Sequence, residues 1–341
     1  MNLPVSLTSI GEGAFYNCNG LKSVYYAGTQ EQKYNIDFGY YNDAIESAKW
    51  FYNCCNGKTP HSYKTTTTEA TLTQNGSIVK KCSNCGNATT TKINYPKTIK
   101  LSATSYTYNG KVKTPSVVVK DSAGKTLKQN TDYTVKYATG RINVGKYKVT
   151  VAFKGNYSGT KNLYFTINAE KASRCKASLS SISYAYNGKV KTPAVTVKDS
   201  AGKTLKKNTD YTVKYATGRK SVGKYKVTVT FKGNYSGTKN LYFTINPVKT
   251  TVKSLTAGKK SLKIAITKKS TQVTGYQIQY ATNKSFKSAK LKNVTSYKTT
   301  IVTLSKLSAK KTYYVRVRTY KTVNGVKYYS GWSVAKYKKT K

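Results

Sequence analysis

The stretch KYKVTVAFKG, residues 146–155, alternates polar and apolar side chains with a period of two. Its larger apolar members are Tyr147, Val149, Val151 and Phe153. A period of two is typical of a β-strand that buries one face, because successive side chains of a strand point to opposite sides. The stretch therefore predicts a half-buried strand at the centre of a β unit.

This strand belongs to a tandem repeat. Residues 105–168 recur at 183–246, offset by 78 positions, with seven differences in the 64 aligned positions. The differing pairs are Thr107/Ala185, Ser116/Ala194, Val118/Thr196, Gln129/Lys207, Ile142/Lys220, Asn143/Ser221 and Ala152/Thr230. Each pair lies between inward strand positions or in a segment rich in turn residues, so we expect these changes to avoid the core. Arrays of this kind indicate reach or multivalency.

Each repeat predicts a small β-sandwich, because short alternating runs are separated by Gly-containing turns. The runs predict strands at 117–120, 133–137, 146–153 and 162–167. Asn109-Gly110 and Asn187-Gly188 predict hairpins with type I′ turns. Through YNGK, NTDYTVKY and FKGNYSGT the repeat resembles the bacterial immunoglobulin-like (MBG-like) units of Gram-positive surface proteins. That resemblance implies a spacer or adhesive stalk without catalysis.

The C-terminal segment, residues 248–341, has a different pattern. TGYQIQYATNKSFKSAK, LSAKKTYYVRVRTYK and GVKYYSGWS resemble a strand with its loop, a second strand and the closing hairpin of a fibronectin type III domain. Strands are predicted at 262–267, 275–281, 297–304, 313–320 and 326–329. The resemblance implies that the Tyr313 hydroxyl ties down the preceding loop and that Ile266 replaces a buried tryptophan.

The N-terminal stretch LTSIGEGAFYNCNGLKSVYYAG, residues 7–28, resembles a leucine-rich repeat of bacterial surface proteins. The resemblance implies an inward ladder of Ile10, Ala14, Phe15, Cys18, Leu21 and Val24, with a buried Cys18 thiol. A short helix is expected near 42–50. One repeat cannot close a core alone, so we expect a longer protein whose export signal lies upstream, and hence an extracellular or cell-surface location.

Four cysteines lie near the single histidine. Cys82 and Cys85 form a Cys-x2-Cys-Gly knuckle, and Cys55 and His61 precede it at the spacing of a zinc ribbon with three cysteines and one histidine. The pattern predicts one structural zinc on Cys55, His61, Cys82 and Cys85, with Cys54 as an alternative ligand. Disulfides or free thiols are the alternative chemistry. Four protein ligands would close the coordination shell, so catalysis by this metal is not expected.

The chain is strongly basic: 60 Lys and Arg against 11 Asp and Glu give a formal charge of +49. Only five of the 60 cations are arginines, whose planar forks read bases and phosphates best, so sequence-specific nucleic-acid binding is not expected. Contact with an anionic polymer would begin at adjacent lysines of the last segment: Lys259, Lys260, Lys268, Lys269, Lys310, Lys311, Lys338 and Lys339. The alternative is a lysine coat that serves solubility.

Catalytic constellations are scarce. His61 is the sole histidine, and residues 248–341 contain 23 Lys and Arg but no Asp or Glu. The acids of the repeats are Asp121, Asp132, Asp199 and Asp210, and all four stand in turn contexts, where short carboxylates accept hydrogen bonds from backbone amides. General acid–base chemistry needs positioned carboxylates or histidines, so an enzyme is not expected.

The sequence thus predicts an all-β, multidomain, monomeric chain without a transmembrane segment. We expect a leucine-rich-repeat end with a short helix, a zinc-ribbon-like connector, two immunoglobulin-like sandwiches and a fibronectin type III sandwich, at residues 1–58, 59–97, 98–170, 171–247 and 248–341. The expected function is a non-enzymatic extracellular adhesive or spacer stalk that recognises a protein or glycan ligand. Alternatives are the accessory tail of a secreted carbohydrate- or peptide-active enzyme, or a general binder of teichoic acid, mucin or glycosaminoglycan.

Overall fold

A computed structural model describes residues 1–55, 59–83 and 86–341, with the side chains of residues 54, 55, 59 and 60 outside the description. The chain divides into two compact units. Unit 1 comprises 1–106, 112–141 and 145–166, and unit 2 comprises 107–111, 142–144 and 167–341. Strands dominate both units, which confirms the all-β class. Across the described ranges, no helix is long and apolar enough to span a membrane.

The N-terminal segment is a coil of short parallel strands. Asn2–Leu3, Ser23–Tyr26 and Lys49–Phe51 form one parallel sheet, and Ser9–Ile10 pairs in parallel with Asp37–Phe38. Helices Gln30–Tyr34 and Asp43–Glu46 connect them, the second within the predicted range. Beyond the coil, Cys54–Cys55 pairs with Thr59–Pro60. The core holds Leu3, Ile10, Val24, Tyr26, Ile36 and Ile45.

The predicted inward ladder is wrong at two positions. Ile10 and Val24 are buried and Phe15 and Leu21 are half-buried, whereas Ala14 and Cys18 are exposed. The chain here runs through successive tight turns. The Cys18 N–H donates to the Phe15 carbonyl at 3.2 Å, and the Cys18 carbonyl accepts from the Leu21 N–H at 2.9 Å. A turn does not keep the alternation of a strand, so a ladder read from sequence spacing fails across it.

A three-stranded antiparallel sheet follows, made of Tyr63–Thr68, Gly76–Cys82 and Ala88–Ile93 with the second strand in the middle. The side chains of the first strand are all exposed. Ala70, Cys82 and Ile93 are buried. Ala70 lies just beyond the first strand and forms an isolated parallel bridge with Tyr157, inside unit 1.

Each repeat folds into a two-stranded and a four-stranded sheet. Repeat 1 contains Pro96–Leu101, Ser105–Thr107, Val117–Asp121, Tyr133–Tyr137, Gly145–Phe153 and Thr160–Asn168. Repeat 2 contains Lys176–Leu179, Ser183–Ala185, Val195–Lys198, Tyr211–Tyr215, Gly223–Phe231 and Thr238–Asn246, together with a short pair, Glu170–Lys171 and Tyr235–Ser236. The four predicted strands are confirmed. Val149 and Val151 are fully buried, as the alternation requires.

None of the fourteen residues at the seven differing positions is buried. Val118 and Ala152, for example, are half-buried, and their counterparts Thr196 and Thr230 are exposed. The prediction that the changes avoid the core is confirmed. The buried residues of the two repeats are therefore of the same types, and the sequences differ only where solvent or a neighbouring segment is the environment.

The predicted Asn-Gly hairpins are wrong. Ser183–Ala185 pairs in parallel with Thr238–Asn246 and does not pair with the strand that follows it. Gly188 has the positive φ of 72°, and the Asn187 side chain accepts a hydrogen bond from the Lys189 N–H at 3.1 Å. Asn109 accepts from Lys111 in the same way. An Asx turn of this kind reverses the chain with one left-handed residue, so the pair Asn-Gly does not require a type I′ hairpin.

The C-terminal segment is a two-sheet sandwich. Val252–Gly258, Ser261–Ile266 and Ile301–Leu304 form the smaller sheet; Gly275–Ala281, Lys290–Val294, Thr312–Val323, Val326–Tyr329 and Lys336–Lys339 form the larger. The strand predicted at 297–304 begins at Ile301, after a turn. Ile266 is buried in the shared core. Tyr313 is buried and its hydroxyl oxygen accepts from the Ser308 N–H at 3.1 Å, which confirms the predicted loop tie.

We expect Tyr313→Phe to lower the free energy of unfolding of this sandwich by about 1–3 kcal/mol, because the Ser308 N–H loses its partner in a partly buried loop. Urea unfolding followed by Trp332 fluorescence in a Trp50→Phe background reports on this domain, since the chain has two tryptophans. Tyr337→Phe, at a side chain that is 68% exposed, is the matched control. Equal midpoints for the two variants would contradict the role of the Tyr313 hydroxyl.

Candidate functional site

Two of the predicted zinc ligands, His61 and Cys82, lie at one end of the three-stranded sheet. Tyr63 is the register partner of Cys82, so His61, two residues earlier, lies at the same end as Cys82. Cys82 is buried, and the half-buried His61 ring lies 5.4 Å from the Tyr63 ring. Cys85 and the side chains of Cys54 and Cys55 are outside the described residues. Among side chains that are described, no three His, Cys, Asp or Glu form a metal-binding group.

Two backbone hydrogen bonds join Cys82 to the residues that follow position 85. The Cys82 carbonyl accepts from the Gly86 N–H at 3.1 Å, and the Cys82 N–H donates to the Asn87 carbonyl at 2.7 Å. Gly86 has a φ of 75°, a left-handed conformation that glycine adopts without strain. These bonds hold Gly86 and Asn87 against the backbone of Cys82.

The remaining cysteines are a contrasting pair. Cys18 is exposed, whereas Cys175 is 1% exposed with its thiol 3.9 Å from the Lys171 carbonyl. Burial and the nearby Glu170 carboxylate raise the pKa of Cys175 to about 11. Its thiol is therefore protonated at neutral pH and is a poor nucleophile.

The acids of the repeats cap turns, as predicted. Asp121 accepts from the N–H groups of Ala123 and Lys125, both at 2.9 Å, and Asp132 accepts from the Lys128 N–H at 2.7 Å. Asp199 and Asp210 make the equivalent bonds in repeat 2. These carboxylates are engaged by backbone amides in both copies, which gives them a structural task.

Glu170 has no equivalent in the preceding repeat. It is 2% exposed, accepts from the Ser200 N–H at 3.3 Å and lies 4.0 Å from the Arg174 guanidinium. Within the described residues this is the one ion pair between side chains. Next to it the Asp199 carboxylate accepts from the Tyr235 hydroxyl at 3.3 Å, and burial raises the pKa of that hydroxyl well above its ordinary value.

Three of the four candidate lysine pairs converge at one end of the C-terminal sandwich. The Lys260 N–H donates to the Lys341 carbonyl at 3.1 Å, and the Lys311 carbonyl accepts from the Thr340 N–H at 3.0 Å. These bonds bring the segments of Lys259–Lys260, Lys310–Lys311 and Lys338–Lys339 together. Lys268 and Lys269 follow the far end of the strand Ser261–Ile266, about 20 Å away at the rise of a β-strand.

The lysine pairs occupy two kinds of position. Three pairs, Lys259–Lys260, Lys268–Lys269 and Lys310–Lys311, lie in turns or loops, as predicted for adjacent lysines. Lys260 and Lys310 have positive φ. Lys338 and Lys339 instead lie within the strand Lys336–Lys339, and both are exposed. All the lysines at the convergent end are solvent-accessible, and residues 248–341 contain no side-chain carboxylate to pair with them.

Two arginines occupy equivalent positions in the two repeats. The Arg141 guanidinium lies 5.1 Å from the Tyr137 ring and donates to the Ala138 carbonyl at 3.0 Å. Arg219 repeats this arrangement on Tyr215 and Ala216. The Arg141 carbonyl also accepts from the Lys113 N–H, and the Arg219 carbonyl accepts from the Lys191 N–H. These two arginines fasten loops within their own repeats.

Arg316 and Arg318 form a stack that sequence reasoning missed. The Arg316 guanidinium lies 4.1 Å from the Phe286 ring and 5.0 Å from the Trp332 ring. The Arg318 guanidinium lies 4.3 Å from the same Trp332 ring and 3.9 Å from the Tyr329 ring. We call these five residues the arginine–aromatic ladder. The signal in the sequence was the run YVRVR, whose alternation places both arginines on one face of a strand, opposite two buried valines.

Neutral groups hold the ladder in place. Arg316 Nε donates to Gln279 Oε1 at 2.6 Å, and Arg318 donates to Gln277 Oε1 through Nε at 2.8 Å and Nη2 at 2.6 Å. The Ser330 and Ser333 hydroxyls accept from the backbone N–H groups of the arginine strand at 3.1 and 3.0 Å. Trp332 lies between these serines and is thereby fixed against the two guanidiniums.

The chain matches no protein-family model and no curated protein. Among solved structures it is similar to domains A168–A170 of titin, at 13% identity over 82% of this chain and 98% of that one, with a TM-score of 0.27. It is also similar to the chicken CNTN1 FN1–FN3 domains, at 14% identity over 78% and 77%, with a TM-score of 0.26. It is similar as well to a two-domain fibronectin type III segment of chicken tenascin, at 12% identity over 72% of this chain and 99% of that one, with a TM-score of 0.26. The assignment of the C-terminal segment as a two-sheet sandwich rests on its own strand pairing.

Proposed function

We propose that this chain is a non-enzymatic modular part of an exported surface protein of a Gram-positive bacterium, in which the two immunoglobulin-like repeats set the distance between recognition modules. The parallel N-terminal coil would be the end of a leucine-rich-repeat region, and the C-terminal sandwich a fibronectin type III domain. Capped turn acids and a protonated, buried Cys175 support a structural use of groups that an enzyme would employ in catalysis.

The observation that carries this proposal is a junction used twice, 78 residues apart. The Val144 N–H donates to Asn234 Oδ1 at 2.8 Å, and the Val222 N–H, at the equivalent position, donates to Gln272 Oε1 at 3.2 Å. All four residues belong to unit 2. The same loop end of each repeat thus receives an amide side chain from the module that follows it, which supports a defined spacing.

Two of the seven sequence differences lie in this junction loop. Asn143 Oδ1 accepts from Asn234 Nδ2 at 3.0 Å, whereas Ser221, its counterpart, offers its carbonyl to the Tyr225 hydroxyl at 2.8 Å. Val144 is 39% exposed and Val222 is 2% exposed. The repeats therefore differ where the following module differs, which supports selection for contact with that module.

Deleting residues 105–182, one repeat period, should leave a folded chain whose maximum dimension is smaller by about 30 Å, the length of a nine-residue strand. Small-angle X-ray scattering measures the dimension, and circular dichroism checks the fold. Asn234→Ala with Gln272→Ala should broaden the distance distribution without shortening it. A dimension unchanged by the deletion would contradict a spacer.

A second candidate function, binding of an anionic polymer, is favoured by the convergent lysine pairs. Counterion release from a polyanion would make the binding steeply salt-dependent. We expect retention on immobilised heparin, and earlier salt elution for Lys310→Gln with Lys311→Gln than for Lys268→Gln with Lys269→Gln. Both variants lose two charges, so equal elution would contradict a contact surface at the convergent end.

The cysteine–histidine cluster is proposed to hold one structural zinc on Cys55, His61, Cys82 and Cys85. Zinc would stabilise a sheet that buries few apolar side chains. Metal analysis of the purified chain should give about one zinc, and Cys82→Ser should remove it. The exposed Cys18→Ser is the control and should retain the metal. A chain purified under reducing conditions that binds no added zinc would contradict the proposal.

A further inference from the structure

We propose that the arginine–aromatic ladder and the residues in line with it form a binding strip for an anionic polysaccharide. The strip lies on the outer face of the larger sheet of the C-terminal sandwich. It gives the second candidate function above a particular site and a ligand class, and it rests on that candidate. The ligand chemistry is a chain of sugar units that carries repeated sulfate or carboxylate groups.

The strip follows one strand. On Thr312–Val323 the even-numbered Tyr314, Arg316 and Arg318 share a face, because Val315 and Val317 are fully buried on the other. Tyr337 is the register partner of Tyr314, and the two rings lie 5.5 Å apart. Lys339 is the partner of Thr312 at the end of the same row. Register partners present their side chains on the same side of a sheet.

The order along this face is therefore a lysine, a tyrosine pair and the two ladder arginines with Trp332. From residue 312 to residue 318 the strand rises about 20 Å. Lys339 and Tyr337 are exposed, the latter to 68%, and Arg316, Arg318 and Trp332 are half-buried. A row of separated cations on a flat, accessible face fits an extended ligand with repeated anionic groups.

Charge at the ladder is uncompensated. Both guanidiniums donate to neutral glutamine oxygens, and residues 248–341 contain no carboxylate side chain. Burial and the positive charge of Arg316 lower the pKa of Arg318. Partly buried cations without an anionic partner carry a desolvation cost. An oxyanion on this face would therefore be held by charge-assisted hydrogen bonds to pre-oriented donors.

The stack also distinguishes a polysaccharide from single-stranded nucleic acid. Nucleic-acid binding of this type stacks bases on open aromatic faces. Two guanidiniums already lie against the Trp332 ring, at 5.0 and 4.3 Å, and Arg318 covers Tyr329 at 3.9 Å. The ladder thus offers guanidinium edges and ring edges, which favours oxyanions over bases.

The test uses the full chain with Trp50→Phe, which leaves Trp332 as the single tryptophan. Dextran sulfate, polygalacturonate, unmodified dextran and an oligothymidylate are titrated at physiological salt, with binding read from Trp332 emission and from calorimetry. We expect dextran sulfate or polygalacturonate to bind and to change the emission. We expect unmodified dextran to do neither and the oligothymidylate to bind more weakly.

Two variants separate the ladder from charge alone. Arg316→Lys with Arg318→Lys keeps the charge but loses the planar stack, and it should weaken binding at least tenfold. Lys268→Gln with Lys269→Gln removes two charges at residues outside the strip and should stay within twofold. Tyr337→Ala, at an exposed ring, should weaken binding several-fold without unfolding the domain, so the test stands even if the arginine variant is unstable.

The outcomes are distinct. If no anionic polymer binds the full chain, both the polyanion function and the strip are wrong. If dextran sulfate binds but neither the arginine variant nor Tyr337→Ala weakens it, the strip alone is wrong and the lysines carry the binding. Tighter binding of the oligothymidylate through the same residues would overturn the ligand class.

Discussion

Positive charge without matching carboxylates is the constraint on which the rest of this structure depends. With 60 cations and 11 acids, ion pairing cannot organise the surface. The four repeat acids Asp121, Asp132, Asp199 and Asp210 cap turns, and the buried Glu170 faces Arg174. The remaining four arginines lie against aromatic rings, where a planar guanidinium is stabilised without an anion. The 55 lysines, whose ammonium groups are strongly hydrated, supply most of the positive charge.

The tandem repeat connects this chemistry to the proposed spacing role. Every buried residue in the aligned positions has an identical residue type in the other copy, and the copies differ at solvent-facing sites and in the loop that meets the next module. Such a module can be duplicated without new core packing, because only its junction loop needs to adapt. In the proposed function, binding of a partner is assigned to the C-terminal sandwich and to the N-terminal coil, whose compositions differ from that of the repeats.

Much of the fold could be predicted from the sequence, and the misses have physical causes. Period-two patterns gave the strands around Val149 and Val151, and family resemblance gave the Tyr313 tie. Asn109-Gly110 misled because an Asx turn and a hairpin share that dipeptide, and strand pairing is a long-range property. The prediction of a buried Cys18 was wrong because turns interrupt the inward row of the N-terminal segment. The arginine–aromatic ladder was missed because Trp332 reaches Arg316 only after the chain folds back.

The most direct measurement uses the side-chain Nε–H signals of the five arginines in a heteronuclear NMR spectrum of the full chain. Arg141, Arg174 and Arg219 serve as internal references, because each is engaged within the repeats. On addition of a sulfated oligosaccharide, the signals of Arg316 and Arg318 should shift while those three stay in place. Binding that leaves all five signals unchanged, or moves all five alike, would contradict a specific anion site on the ladder.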